Sequence, residues 1–74
     1  MAYRETVLTA KNDDHMQALR LLLKTAFEKP IRVLDQGWVA NEIEVQPLGW
    51  SQKRALRNLG YTAQDRTVYG SFSA

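Results

Sequence analysis

The sequence contains no cysteine, and this absence excludes several kinds of cross-link and site. No disulfide can stabilise the fold, no thiolate can bind zinc, and no thiol can serve as a nucleophile. The only histidine, His15, follows Asp13 and Asp14 at a predicted helix start, and no nucleophile lies near it in the sequence. A catalytic base needs both a nucleophile and an orienting group. We therefore expect a protein without enzymatic activity, bound metal or cofactor.

Long apolar runs are also missing. The longest contain three residues, such as Leu21 to Leu23, whereas a helix that spans a bilayer needs about 20. The first residues, MAYRETVLTAKNDD, include no apolar segment of signal-peptide length. Together with the lack of cysteine, this pattern predicts a cytoplasmic protein.

Glycine and proline are sparse, with four and two residues, and no glycine-rich phosphate loop is present. Hydrophobic residues make up 45% of the 74, which is typical of a globular protein. We predict one compact domain over residues 1–74. A chain of this size buries only about 60% of its unfolded surface, so contact with a partner or a second copy would add stability.

Acidic residues become scarce in the second half of the chain. Residues 1–45 hold six basic and seven acidic side chains, whereas residues 46–74 hold four basic and one acidic side chain. The net charge of the whole chain is +2. The basic charge is concentrated at Lys53, Arg54 and Arg57. Such an asymmetry indicates an acidic partner.

Hydrophobic spacing predicts a strand and then a helix in the first part of the chain. Residues 3–10 alternate as a strand, with Thr6, Leu8 and Ala10 on one face. The predicted helix covers residues 14–29. It begins with a capping box formed by Asp14 and Gln17 and ends before Pro30. Leu21 falls outside its apolar stripe and is expected to be exposed. Its core-facing stripe comprises Met16, Leu19, Leu22, Leu23, Ala26 and Phe27.

Residues 31–45 predict a β-hairpin that turns at Gln36-Gly37. A second helix follows Pro47, with Ser51 as its cap and Gly60 at its end, and residues 67–73 form a last strand. The order β-α-β-β-α-β is that of the ferredoxin-like plan, a small α+β fold whose antiparallel sheet carries two helices on one face. The alternative is a meander whose end strands pair differently.

The second helix carries the candidate contact surface. Trp50, Lys53, Arg54, Arg57 and Tyr61 fall within one arc of about 100° opposite its apolar side. Two aromatic rings then flank three cations, which suits stacking and phosphate neutralisation or a protein-binding hot spot. Lys53 and Arg54 also lie in the first turn, where positive charge opposes the helix dipole. Local conflicts of this kind are more expected at functional sites.

A structural interpretation competes with the functional one. Trp50 precedes the predicted cap and can pack on Ala55 as a hydrophobic staple. Tyr61 follows Gly60 and can fold back onto Leu56 in a Schellman-type contact. Both aromatic residues would then support the helix ends, and the cations would form an ordinary solvated face.

The sheet offers a second candidate surface. Trp38 shares a strand face with Glu42 and Glu44, and we expect this face to be exposed to solvent. The first hairpin strand and the last strand, which carries Tyr69 and Phe72, form the two edges of the sheet. An unprotected edge can pair with another chain, so the last strand offers a route to a homodimer.

These features favour a non-enzymatic interaction protein that binds a larger macromolecular partner and modulates it as an inhibitor, adaptor or regulator. A protein with an acidic patch is the expected partner, and no membrane contact is expected. The alternative is a small nucleic-acid-binding protein that uses the same basic face against phosphates, although the acids beside Trp38 disfavour base stacking on the sheet. The predicted partner-binding residues are Trp38, Trp50, Lys53, Arg54, Arg57 and Tyr61.

Overall fold

A four-stranded antiparallel sheet and two helices make up the fold. The computed structural model describes residues 2–36 and 40–69. The strand order is β2-β3-β1-β4, and each neighbouring pair is antiparallel. This is the order of the ferredoxin-like plan, so the predicted fold class is confirmed. The elements are β1 (Ala2–Thr9), α1 (Asp13–Thr25), β2 (Val33–Asp35), β3 (Glu42–Val45), α2 (Trp50–Asn58) and β4 (Thr62–Tyr69).

The core lies between one face of the sheet and the two helices. Leu8 of β1 is paired with Ile43 of β3 and with Ala63 of β4, and all three are buried. Full burial of a leucine or isoleucine stabilises the fold by about 1.5 to 3 kcal/mol. Thr6 and Ala10 are buried as well, which confirms the predicted inward face of β1. The helices contribute Met16, Leu19, Leu23 and Leu56 to this core.

The opposite face of the sheet, called the outer face below, carries charged residues near its centre. Side chains alternate between faces along a strand, so Glu5 lies beside Arg66 of β4 on this face. Glu44 of β3 is paired with Val7 of β1 and points to the same side. Glu5 and Glu44 are both buried. The prediction that the glutamate face of the hairpin is exposed is therefore wrong for Glu44.

Helix α1 begins and ends earlier than its sequence pattern predicts. Asn12, rather than Asp14, is the N-cap, because its Oδ1 accepts a hydrogen bond of 2.8 Å from the backbone N–H of His15. The helix ends at Thr25, well before Pro30. The chain then turns so that the N–H of Ile31 donates to Leu23 O, which places the buried Ile31 in the core. Leu21 is exposed, as predicted.

Helix α2 differs from the prediction at its start and agrees with it at its end. Gly49 is the N-cap, and its N–H donates to Oε1 of Gln52 at 2.8 Å, so the predicted cap at Ser51 is wrong. Gly60 adopts a φ of 91°, in the left-handed region that favours glycine. The N–H of Gly60 donates to Arg57 O and that of Tyr61 to Leu56 O, which together form a Schellman motif.

The hairpin and the last strand also have corrected bounds. β2 begins at Val33 rather than at Ile31, because Ile31 belongs to the core and not to the ladder. The predicted turn residue Gly37 and the predicted strand residue Trp38 lie outside the described residues. β4 begins at Thr62, five residues before the predicted start, and Phe72 again lies outside the described range. β2 and β4 are the sheet edges, as predicted.

The two helices are short and carry many polar residues. α1 has 13 residues and α2 has nine. Within residues 2–36 and 40–69, neither helix combines the length and the apolar character needed to cross a bilayer.

Candidate functional site

Trp50, the first residue of α2, is a large hydrophobic side chain that is exposed to solvent. Its relative exposure is 68%, and the guanidinium carbon of Arg54 lies 5.2 Å from the centre of its ring. This distance is within the range of a cation–π interaction. The predicted hydrophobic staple is wrong, because Trp50 lies inside the helix and Ala55 is exposed to solvent. Trp50 is therefore exposed to solvent and does not pack within the domain.

Lys53 is directed towards the sheet edge and not towards solvent. Its Nζ donates to Oδ2 of Asp65 at 2.7 Å, and only 17% of its side chain is exposed. Asp65 also accepts a hydrogen bond of 3.0 Å from the Thr6 hydroxyl. The Lys53 hydrogen bond is the main cause that lowers the pKa of Asp65 below its ordinary value. Lys53 thus joins α2 to β4, and its charge is largely neutralised by Asp65.

Arg57 combines a structural contact with an exposed charge. Its Nη2 donates to the carbonyl oxygen of Ala63 at 2.6 Å, yet the residue is exposed overall. A guanidinium has five N–H donors, so one bond leaves donors for a partner. Residues four and seven positions after Trp50 lie on the same side of a helix. Trp50, Arg54 and Arg57 accordingly form one exposed stripe, called the α2 surface below.

Tyr61 does not belong to the α2 surface, and the expectation that it flanks the cations is wrong. The residue is 4% exposed, and its hydroxyl donates to the carbonyl oxygen of His15 at 2.8 Å. Its ring stacks on the His15 imidazole, with centroids 3.8 Å apart and planes inclined by 6°. Burial raises the pKa of Tyr61. The structural interpretation is therefore correct for Tyr61, because the Schellman turn carries the chain back into the core.

His15 holds the ends of the two helices together. Its Nδ1 accepts a hydrogen bond of 3.0 Å from the backbone N–H of Lys11, so in the neutral ring the proton lies on Nε2. Nε2 then donates to the carbonyl oxygen of Leu59 at 3.1 Å. Both ring nitrogens are occupied by backbone groups, which gives His15 a structural role beside Tyr61.

The sequence pattern did not identify the charged cluster on the outer face. Nη2 of Arg66 is 2.9 Å from Oε1 of Glu5 and 2.6 Å from Oε2 of Glu44. These two carboxylates raise the pKa of Arg66. Glu5 and Arg66 are 61 positions apart in the chain, so only the register of β1 with β4 could have revealed their contact. The name Arg66 cluster is used below for these three residues.

The described residues give no indication of a metal centre. In residues 2–36 and 40–69, no group of three or more histidine and carboxylate side chains is arranged to hold a metal ion. Trp38, the remaining predicted contact residue, lies outside these ranges.

Comparison with protein-family models, with curated proteins and with solved structures finds no match for this chain. The α2 surface and the Arg66 cluster lie on opposite sides of the molecule, the first on the helix layer and the second on the outer face of the sheet.

Proposed function

We propose that the protein is a non-enzymatic interaction protein that binds a larger partner protein through the α2 surface and modulates it as an inhibitor, adaptor or regulator. The observation that carries the proposal is Trp50, which is 68% exposed on a regular helix with the Arg54 guanidinium over its ring. Tryptophan and arginine are the residues most enriched at the energetic centres of protein interfaces.

The energetic case rests on the apolar area that a partner would cover. An aromatic side chain buries about 150 to 250 Å² in an interface. At about 25 cal/mol per Å², covering the exposed part of Trp50 is worth about 3 kcal/mol before the costs of association. The Arg54 contact restricts both side chains in the free protein, which lowers the entropy lost on binding.

The charge of the α2 surface indicates an acidic patch on the partner. Among the described residues, neither Arg54 nor Arg57 forms an ion pair with an acid of this chain. Complementary charge around an aromatic anchor increases the association rate and selects against partners of the wrong sign. A domain this small would modulate its partner by covering that acidic patch, and thus by steric exclusion of other ligands.

A protein partner is favoured over a nucleic acid by the position of Lys53. Its pairing with Asp65 reduces the candidate basic face from three available cations to two. Each phosphate contact contributes to affinity and to salt dependence, so two cations give weak binding to a phosphate backbone. The α2 surface also presents one exposed aromatic ring, because Tyr61 is buried, whereas single-strand binding uses successive stacking platforms.

A site-specific cross-link tests the proposal. A photoreactive phenylalanine is placed at position 50 and, as a control, at position 21, where Leu21 of α1 is similarly exposed at 62%. We expect a discrete partner adduct from position 50 and none from position 21. The purified partner should then bind Trp50→Ala and Arg54→Ala about thirtyfold more weakly than wild type, as expected for hot-spot residues, and Leu21→Ala with unchanged affinity.

A salt titration separates the nucleic-acid alternative from the proposal. Labelled single- and double-stranded DNA and RNA are titrated with wild type and with the double variant Arg54→Ala, Arg57→Ala. Binding that weakens steeply with salt in wild type and has a shallower slope in the variant would replace the proposed function by nucleic-acid binding. Equal cross-linking from positions 50 and 21 would remove the α2 surface as the contact site.

A further inference from the structure

The outer face of the sheet contains a cavity that the proposed function does not use. Its volume is about 490 Å³, within the range of about 300 to 1,000 Å³ that is usual for small-ligand sites. It lies on the side of the sheet away from both helices. Its lining includes Tyr3, Glu5, Asp35, Glu44 and Arg66.

The charges around this cavity do not balance. Three carboxylates, from Glu5, Asp35 and Glu44, surround one guanidinium, from Arg66. Arg66 bonds to both glutamates. Among the described residues, no second lysine or arginine pairs with Glu5, Glu44 or Asp35. The cavity therefore has an excess of negative charge.

The charge of the two glutamates is buried, whereas Asp35 is exposed at the rim of the cavity. The side chain of Glu5 has no exposed surface and that of Glu44 is 9% exposed. Oε1 of Glu5 accepts two hydrogen bonds from Arg66, but the buried Oε2 has no hydrogen-bond partner within the described part of the chain. Buried charges are normally paired, and a buried acceptor without a donor is costly. The buried pair of glutamates, which shares the single charge of Arg66, thus lacks one positive charge and at least one donor.

We propose that this cavity binds an organic cation, an alkylguanidinium or alkylammonium group. Such a group supplies both missing elements, since it carries a positive charge and N–H donors for the exposed Asp35 and, once the 42% exposed Arg66 side chain moves aside, for Oε2 of Glu5. Tyr3, which is 51% exposed on the same face of β1 as Glu5, provides aromatic surface for the alkyl part and for cation–π contact. The Arg66 contacts show that these two glutamate carboxylates accept guanidinium N–H donors.

The geometry favours an organic cation over a metal ion. Calcium requires six to eight oxygen ligands and magnesium a near-ideal octahedron. The described residues contain no group of three carboxylates or histidines with metal-binding geometry. An ammonium or guanidinium group needs fewer contacts. Its directional N–H donors suit Oε2 of Glu5, because the other oxygen of the same carboxylate already accepts from Arg66.

Calorimetric and NMR titrations of the full chain test the proposal. The probe is butylguanidinium, and its control is butylurea, which has nearly the same shape and no charge. We expect saturable binding of butylguanidinium, with amide shifts confined to the cavity-lining parts of the four strands and absent from both helices, and no binding of butylurea. Glu5→Gln and Glu44→Gln should each weaken binding about thirtyfold or more, because each removes one buried charge.

Two further variants keep the test decisive if a buried substitution disturbs folding. Asp35 is exposed at the rim of the cavity, so Asp35→Asn should fold normally and weaken binding by about two- to fivefold. Glu42 lies on the same face of β3 but outside the cavity, so Glu42→Gln should bind like wild type. A blocked Gly-Arg-Gly peptide is titrated in parallel. Tighter binding of this peptide than of butylguanidinium assigns the cation to a partner protein, and the reverse assigns it to a small molecule.

The outcomes that overturn the proposal are clear. They are the absence of butylguanidinium binding to wild type, equal binding of butylurea, or binding that Glu5→Gln and Asp35→Asn both leave unchanged. None of these outcomes concerns the α2 surface, so the proposed function and the cavity proposal can fail separately.

Discussion

Removal of Arg66 should destabilise the protein strongly, because two buried carboxylates depend on it. In Arg66→Gln the side chain stays polar but is shorter and uncharged, so Glu5 and Glu44 lose their shared positive charge. Breaking a buried ion pair by removing one partner costs about 3 to 5 kcal/mol. Arg66 itself is 42% exposed, so water can reach the site, and the lower end of this range, about 3 kcal/mol, is expected.

The effect is large for a chain of this size. A stability of about 0.05 to 0.15 kcal/mol per residue gives about 4 to 11 kcal/mol for the whole protein. The free energy of unfolding is measured by urea denaturation followed by circular dichroism. Arg4→Gln serves as the matched control, since Arg4 is 71% exposed and lies 3.8 Å from Asp65. An exposed pair of this kind contributes less than about 1 kcal/mol.

A double variant identifies the cause of the loss. If unpaired buried charge is responsible, Glu5→Gln should cost less in the Arg66→Gln background than in wild type, with a coupling energy of about 1 to 3 kcal/mol. A loss below about 1 kcal/mol in Arg66→Gln, without coupling to Glu5→Gln, would show that both carboxylates are hydrated in solution. That result would refute the burial argument for the Arg66 cluster and would weaken the case for the cavity.

Three other predictions concern the helix ends and the Asp65 contact. Gly60→Ala should cost about 1 to 2 kcal/mol, because a φ of 91° strains an L-residue, and the urea midpoint should fall with an unchanged slope. The pKa of Asp65 is lowered from 3.8, chiefly by Lys53. The ionised Asp65 therefore contributes its full stabilisation above about pH 3.8, and this contribution is lost as the pH falls through the folded-state pKa. Asp65→Asn should reduce the loss of stability below about pH 4, and an unchanged dependence of stability on pH in that range would contradict this. Trp50→Ala should change the free energy of unfolding by less than about 0.5 kcal/mol, and a larger loss would mean that Trp50 packs within the domain.

Hydrophobic periodicity was sufficient to predict the order of the helices and strands, but several of their first and last residues differ from the prediction. Most of the core-facing stripe of α1 and the inward face of β1 have the spacing of their secondary structure, and both were predicted. Ala26, which was predicted to face the core, is instead exposed at the C-cap of α1. Residues 62–66 have no such signal, because β4 is an edge strand in which Ala63 is the buried residue and its neighbours are exposed. The end of α1 at Thr25 is determined by a tertiary contact, the entry of Ile31 into the core, which local sequence does not encode.

Candidate site residues were predicted where exposure follows from helical geometry alone. Trp50 and Arg54 were correctly predicted to be exposed, because no neighbouring element covers their side chains. Lys53 and Tyr61 were misplaced, since their positions depend on long-range partners, Asp65 and His15. The register of three strands brings the Arg66 cluster together, and no spacing within a single element could have indicated it.

The two proposed surfaces have opposite charge and lie on opposite layers of the fold, so their effects can be separated. The α2 surface is exposed on the helix layer, and the cavity opens on the outer face of the sheet. Substitutions at well-separated sites usually act additively. Arg54→Ala should therefore leave butylguanidinium binding unchanged, and Asp35→Asn should leave partner binding unchanged. If each substitution instead weakened both interactions, one partner would have to contact both layers of the fold. The sheet and the helices separate the two surfaces, so such a partner would have to wrap around the edge of the sheet.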